Sequence, residues 1–243
     1  MKLANKMIQG HFLKRYKRFM VDILCDDGSL VTVHCANTGS MRGCLHEGAI
    51  AWCSDSENPT RKYRYTLESF VLQDGTCIYV NPVRANALVR EALEAGLVPG
   101  LRGYAEILPE VKYGEENSRI DFLLRGCTED VRDCYVEVKN VTLYEPEMCG
   151  PGGGCFPDAV STRGQKHLRE LQAMVEAGQR AVLFFVVSHS AIRNVQPADH
   201  IDPEYGRLLR EAVASGVEVM AWRCDIQDHS VALSEAVPFS VGE

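Results

Sequence analysis

The sequence predicts an α/β protein in two parts, a small N-terminal β-barrel followed by a larger sheet covered with helices. Three observations carry that expectation. Over residues 1–82, short runs rich in β-branched and aromatic residues are separated by turn signals such as Asp27-Gly28, Asp74-Gly75 and Asn81-Pro82. From residue 83 the apolar period lengthens to that of amphipathic helices, which then alternate with strand patterns. Residues 181–187 are continuously apolar and rich in Val and Phe, as a strand covered on both faces requires.

In the first part, residues 12–25 form one long candidate strand. Asp26-Asp27-Gly28 turns the chain, and residues 30–35 return. Further strands are expected at 49–53, 64–72 and 77–80. About five strands in so short a segment, carrying basic and aromatic residues, suggest an OB-fold-like barrel. Asn81-Pro82 ends the β pattern, so the boundary is expected near residue 82, with domains at 1–82 and 83–243. Leu88, Val89, Ala92 and Leu93 then mark one face of a helix closed by Gly96. Strands follow at 104–112, 119–125 and 134–140, and a Gly- and Pro-rich loop at 145–154. A helix at 162–177 carries Leu168, Leu171 and Val175. Asp202-Pro203-Glu204 is a strong helix start, with Asp as N-cap and Pro at the first helical position, and Gly216 ends that helix before a strand at 217–224. The resulting order is αβββαβαβ.

A chain of 243 residues with 46% hydrophobic content can bury one large core or two smaller ones. The apolar residues near Met1 are interrupted by Lys and Arg, and no apolar run reaches the length of a membrane span, so a cytoplasmic protein without membrane contact is expected. The ten cysteines include no C-x-x-C pair and are expected to remain reduced. His34, Cys35, Cys44 and His46 match no standard zinc spacing.

The net charge of -7 excludes a uniformly basic nucleic-acid binder, but the charge is unevenly distributed. Residues 1–82 hold 10 Lys and Arg against 8 Asp and Glu, whereas the remainder holds 16 against 25. Positive charge concentrates in Lys14-Arg15-Tyr16-Lys17-Arg18 and in Arg61-Lys62-Tyr63-Arg64-Tyr65, with aromatic rings among the cations. Such interleaving suits phosphate contact with base stacking, and equally a solvated strand face.

The strands around Asp121 and Glu137 carry the candidate chemistry. If they form a hairpin centred near residue 129, Asp121 and Glu137 lie opposite each other, and Lys139 shares their face. Ile120, Phe122, Leu124, Val136 and Val138 would then point to the apolar face. Two opposed carboxylates need a compensating cation, and a hard divalent ion, Mg²⁺ or Mn²⁺, suits them. Asp121, Glu137 and the Val138 carbonyl would hold that ion, Glu91 on the preceding helix is a further candidate ligand, and Lys139 would orient the attacking water. A surface ion-pair cluster on a half-exposed sheet is the alternative.

The segments Ser118-Arg119-Ile120-Asp121 and Glu137-Val138-Lys139 within αβββαβ resemble the PD-(D/E)XK, or restriction-endonuclease-like, superfamily. Across almost its full length the chain is similar to the sugar fermentation stimulation protein family. That likeness runs through Lys14 to Phe19, Asn37-Thr38-Gly39-Ser40-Met41, Ser118 to Phe122, Tyr135 to Lys139, Phe156-Pro157-Asp158-Ala159, Thr162 to Leu168 and Ile201 to Tyr205. The resemblance implies an OB-like N-terminal domain, a nuclease-like C-terminal domain, non-specific DNA binding and a role in regulating sugar, especially maltose, metabolism. It leaves cleavage of DNA unsettled.

The loop Cys149-Gly150-Pro151-Gly152-Gly153-Gly154-Cys155 lacks the ending of a phosphate-binding loop and is expected to be a flexible lid or linker. Gln165, Lys166 and His167 open the helix after the Glu-x-Lys strand, where cations could approach phosphate. His167 alone is more simply a structural residue. Nucleic-acid contacts are thus expected from Lys14, Arg15, Lys17, Arg18, Arg61, Lys62 and Lys166. The expected activity is Mg²⁺-dependent phosphodiester hydrolysis on DNA. A non-catalytic DNA-binding regulator is the alternative, and RNA as substrate and a homodimer both stay open.

Overall fold

The computed structural model describes residues 1–4, 6–227 and 229–242. The barrel is built from β1 (Met7–Tyr16), β2 (Met20–Leu24), β3 (Leu30–His34), β4 (Ile50–Asp55) and β5 (Tyr65–Val71), with β6 (Cys77–Tyr79) added beside β5. Antiparallel pairing runs β3-β2-β1-β4-β5, and a parallel bridge between His34 and Thr66 joins β3 to β5 and closes five strands. Phe12, Val21, Ile23, Val33, Ala51, Leu67 and Phe70 fill its interior. Gly10 on β1 lies so close to β2 that an added Cβ would meet the Leu24 carbonyl oxygen at 2.9 Å.

The expected single strand at 12–25 is instead a hairpin. Lys17 and Arg18 adopt left-handed backbone angles (φ 49° and 62°), which reverse the chain between Tyr16 and Met20. No Gly, Asn or Asp marks this turn, so composition hid it. Arg15 stabilises it by donating to the Arg18 carbonyl at 2.9 Å and to the Asn37 and Gly39 carbonyls at 2.9 and 3.0 Å.

The second part begins with α1 (Ala85–Glu94), whose buried residues Ala85, Leu88, Val89, Ala92 and Leu93 recur at helical spacing. β7 (Glu106–Tyr113), β8 (Ser118–Arg125) and β9 (Cys134–Val141) follow, then β10 (Leu143–Tyr144), the short α2 (Pro146–Cys149) and β11 (Gly153–Phe156). The chain continues through α3 (Thr162–Glu176), β12 (Arg180–Val187), β13 (Asn194–Pro197), α4 (Pro203–Ser215), β14 (Glu218–Gln227) and β15 (Ser230–Ala236). Asp202 caps α4 by accepting from Tyr205 N at 3.0 Å.

Six strands lie in the order β15-β14-β12-β9-β8-β7, with β9, β12 and β14 mutually parallel through the helical crossovers. α1 covers one face, packing with Phe122, Leu124, Val136, Val138, Val182, Phe184 and Val186. α3 and α4 cover the other, packing with Leu123, Leu183, Phe185 and Val187. Residues of β12 from Ala181 to Val187 are at most 1% exposed, as their apolar run requires. Helices therefore cover both faces, which counts against the alternative of a surface ion-pair cluster on a half-exposed sheet.

Two further elements escaped the sequence. β10, β11 and β13 form a separate three-stranded sheet, and β15 extends the main sheet. The segment at 149–155 is also not a free linker, since Cys149 and Cys155 are joined by a disulfide, contrary to the expectation that all thiols stay reduced. Their short separation lets an Asx-free Gly-rich loop bring them together within this small sheet. Among the described residues, no helix is long and apolar enough to cross a membrane.

The two parts dock through specific polar contacts. Tyr79 N donates to Ser188 O at 2.8 Å, and Asp158 accepts from Ser40 Oγ at 2.8 Å. Glu68 on β5, fully buried, accepts from Ser54 Oγ and Tyr79 Oη, both at 2.7 Å, from Asn81 Nδ2 at 2.9 Å and from Arg84 Nη2 at 2.9 Å. His189 bridges to Ile78 and stacks on Tyr144. Burial lowers its pKa to about 4, with nearby His46 acting in the same direction and Asp74 opposing. A histidine held neutral in the fold contributes stability present above its unfolded pKa, lost as pH falls toward the folded one. Stability should therefore drop by about 3 kcal/mol between pH 6.5 and 4 through this group. His189→Gln should flatten that part of a pH series of urea unfolding curves; an unchanged slope would contradict the assignment.

Candidate functional site

The site forms where β8 and β9 part. Leu124, Leu123 and Phe122 lie opposite Cys134, Tyr135 and Val136, in the register expected from the sequence, and the ladder stops there. Beyond it, Val138 N donates to Asp121 Oδ2 at 2.7 Å. A strand N–H of this kind points in the sheet plane toward its neighbour, so the Asp121 carboxylate sits inside the fork. Asn86 Nδ2 on α1 donates to the other oxygen, Oδ1, at 2.7 Å.

This geometry corrects the expected alternation. Ile120 packs with the α3 side and Phe122 with the α1 side, so the two do not share a face across Asp121. The irregularity coincides with Glu110 on β7, whose φ of 55° interrupts the strand between Pro109 opposite Phe122 and Val111 opposite Ile120.

Glu137 lies opposite Leu183 and faces α3, with 2% of its surface exposed. Its Oε1 accepts from Lys139 Nζ at 2.6 Å and meets His167 Nδ1. Arg163 Nε donates to His167 Nε2 at 3.4 Å. Lys139 Nζ is 3.1 Å from the same Nδ1. Glu137 Oε2 is buried with no hydrogen-bond partner. The buried hydroxyls of Tyr113 and Tyr205 also lack partners, and both feel the charge of Glu137.

The two carboxylates are tuned in opposite directions. Burial raises the pKa of Asp121, the charge of Glu137 adds to the rise, and the hydrogen bonds from Val138 and Asn86 offset it only in part. Burial acts on Glu137 too, but the Lys139 charge and the His167 hydrogen bond outweigh it and hold its pKa below the ordinary value.

These oxygens fit a hard divalent ion. Asp121 and Glu137 supply carboxylates, and Glu137 Oε2 is an orphaned acceptor at 2% residue exposure. Among the described residues, no three His, Cys, Asp or Glu side chains gather to hold a metal, so an ion here would draw its other ligands from backbone, water or substrate. Glu91 lines the same cleft as Asp121 and pairs with the Met1 nitrogen at 2.8 Å.

The structure brings the two basic segments of the barrel together, since Tyr63 Oη reaches Met20 Sδ at 3.6 Å. Lys14 pairs with Asp22 at 3.7 Å and lies over Tyr16, and Lys62 lies over Tyr63. Lys17 and Arg18 project from the hairpin tip beside Phe19, which is 47% exposed. Arg15 is committed to carbonyls, and Arg64 to Asp55 at 2.7 and 2.9 Å. Lys166 donates to the Glu116 carbonyl and so ties α3 to the β7–β8 turn, while Gln165 holds Asp202 at 2.9 Å.

Sequence reasoning missed Asn86, Tyr113 and Glu170, and it weighed an acid–base role for His167 against a structural one without linking it to Glu137. Glu170 is buried, accepts Glu116 N at 2.7 Å, and fills the space beside Gly114 (φ 66°) where a Cβ would stand. No spacing rule links a helix residue to a strand 30 positions away, so only the fold shows the contact of His167 with Glu137.

An OB barrel joined to a mixed sheet whose central fork carries Asp121 and Glu137-Val138-Lys139 is a two-domain protein with a restriction-endonuclease-like second domain. The profile described as "Sugar fermentation stimulation protein RE domain" matches residues 83–230, and that described as "SfsA N-terminal OB domain" matches residues 13–80. The chain belongs to the sugar fermentation stimulation protein family. A "Sugar fermentation stimulation protein homolog" from Shewanella loihica is 53% identical over 230 residues, covering 95% of each chain. One from Shewanella baltica is 51% identical over 236 residues, covering 97% of this chain and 98% of its own. Among solved structures, "The structure of Pyrococcus Furiosus SfsA in complex with Ca2+" superposes with a TM-score of 0.84 at 26% identity, covering 99% of both chains.

Proposed function

We propose that this chain binds DNA and hydrolyses its phosphodiester bonds with Mg²⁺ or Mn²⁺, in the cytoplasm. The observation that carries the reading is the orphaned Oε2 of buried Glu137, a carboxylate whose charge is felt at Asp121, with the Lys139 ammonium against its other oxygen. The Ca²⁺ named for the Pyrococcus relative supports a hard-ion site in this family. When bound, the ion supplies Lewis-acid activation of phosphate and water. Asn86 and the Val138 N–H hold the Asp121 carboxylate in the fork, and His167 fixes the rotamer of Glu137. Lys139, whose side chain is 15% exposed, orients water and offsets negative charge on the phosphate. Glu91 is a further ligand in this reading.

The barrel supplies backbone contacts through Lys14, Lys17, Arg18, Arg61 and Lys62, with Phe19, Tyr16 and Tyr63 beside them for bases. Arg15 and Lys166 contribute by shaping the loops that present these groups. Lys17→Ala and Arg18→Ala should each reduce the salt slope of DNA binding by about 1, measured from affinity against salt concentration; an unchanged slope would remove them from the interface.

A second reading, a non-catalytic DNA-binding regulator of sugar metabolism, is favoured by one observation: Glu137 Oε1 is already engaged by both Lys139 and His167. Incubating supercoiled plasmid with the protein in Mg²⁺, Mn²⁺ or EDTA separates the two. Metal-dependent nicking is the expected result. Retention of the plasmid without cleavage under every condition would favour the regulator.

A further inference from the structure

Two clefts flank α1 and together lead from the basic face of the barrel to Asp121. The first, about 540 Å³, lies between the barrel and α1; His34, Asp55, Arg61, Glu68, Val83 and Arg84 are on its wall, with Asp55 paired to Arg64 and Glu68 to Arg84. The second, about 480 Å³, is lined by Asn86, Ala87, Arg90, Glu91, Glu110 and Asp121. Exposed Ala87 borders both, so the clefts meet at its side chain.

The first cleft offers donors and an apolar surface. Arg84 commits Nε and Nη2 to Glu68, which fixes the guanidinium at the cleft wall while its Nη1 has no partner among the described residues. The Arg61 guanidinium makes no hydrogen bond or ion pair among the described residues, and His34 Nδ1 is buried without a partner. Burial, and then the charge of Arg61, lowers the pKa of His34, so its ring lines the cleft uncharged. Val83, 73% exposed at the rim, gives a base an apolar surface to lie on.

The second cleft has the opposite character. Glu91, Glu94, Glu110 and Asp121 outnumber Arg90 there, so a phosphate is repelled unless a cation accompanies it. Asp121, half-buried, lines the cleft wall beside Phe122. A single strand turns freely about its backbone torsions and follows two adjoining clefts more readily than the stiff cylinder of a stacked duplex.

We infer that the paired clefts along α1 are a track for one DNA strand, held by His34, Arg61, Val83 and Arg84 in the first cleft and delivered past Ala87 to Asp121. The inference rests on the proposed DNA-directed activity and names the form of DNA it takes. The cleft at Asp121 engages the strand only with a divalent ion, and the cleft at the barrel, whose carboxylates are already ion-paired, engages it without one.

The test is fluorescence anisotropy of the full chain with labelled oligo(dT), oligo(rU) and a duplex of equal length, in EDTA and in Ca²⁺. Oligo(dT) should bind about tenfold tighter than duplex, and Ca²⁺ should widen the difference. Ala87→Trp, an exposed helix position, should plug the junction and remove the Ca²⁺-dependent gain without changing duplex binding. Arg61→Ala should weaken oligo(dT) binding in EDTA as well, and thermal melting checks that both variants fold. Equal binding of oligo(dT) and duplex, or an Ala87→Trp protein that keeps the Ca²⁺ gain, would overturn the track while leaving DNA binding intact. Absence of binding to every DNA would overturn the underlying reading too. Tighter binding of oligo(rU) would overturn the assignment to DNA.

Discussion

Glu137→Gln should lower metal-dependent cleavage of plasmid DNA by about a thousandfold while leaving retention on DNA unchanged. The substitution keeps the shape of the side chain and removes its charge. Glu137 is the carboxylate that Lys139 and His167 hold ionised against its burial, so the amide cannot reproduce its attraction for a divalent ion. The barrel cations lie on other elements and do not touch it, which is why retention should survive. The check is initial nicking rate against enzyme concentration, beside a filter-binding curve for the same preparation. Wild-type nicking by the variant would place the chemistry elsewhere.

Glu68→Ala should cost about 3–5 kcal/mol of stability, because it strips a buried carboxylate from four donors at once. Ser54 and Tyr79 come from the barrel sheet, Asn81 from the link after it and Arg84 from the start of the second part. Removing the acceptor leaves the Tyr79 hydroxyl and the half-buried Arg84 guanidinium without compensation in the same small volume. Urea unfolding followed by intrinsic fluorescence measures the loss as a shift of the midpoint. A loss below about 1 kcal/mol would mean that water replaces the carboxylate in the docked interface.

Much of this fold was legible because its elements obey simple periods. The apolar run of β12, the Asp202-Pro203 start of α4 and the Gly216 that ends it, and the one-sided apolar stripe of α1 each follow from local chemistry. The register of β8 against β9 was also legible, because a hairpin's midpoint fixes which residues face each other. The turn at Lys17 and Arg18 was not, since its left-handed residues carry no turn signature and are stabilised by Arg15 binding distant carbonyls. The small sheet of β10, β11 and β13 escaped for a related reason. Its strands are too short to show a period, and the disulfide that braces them joins cysteines with no diagnostic spacing.

The site divides along the same line. The residue types and their pairing could be read from Asp121, Glu137 and Lys139, but the place of Asp121 in the plane of the fork could not. That position depends on the interruption at Glu110 and on Asn86 reaching across from α1. Likewise the contact between His167 and Glu137 depends on how α3 lies over the sheet, a tertiary fact without a local signal. Strand alternation predicts faces only while pairing persists, and functional groups gather here where pairing ends.

The most direct measurement is the anomalous difference density of crystals soaked in Mn²⁺. The account predicts one strong peak within ligand distance of both Glu137 Oε2 and the Asp121 carboxylate. A soaked crystal with manganese elsewhere and none between these two groups would contradict it.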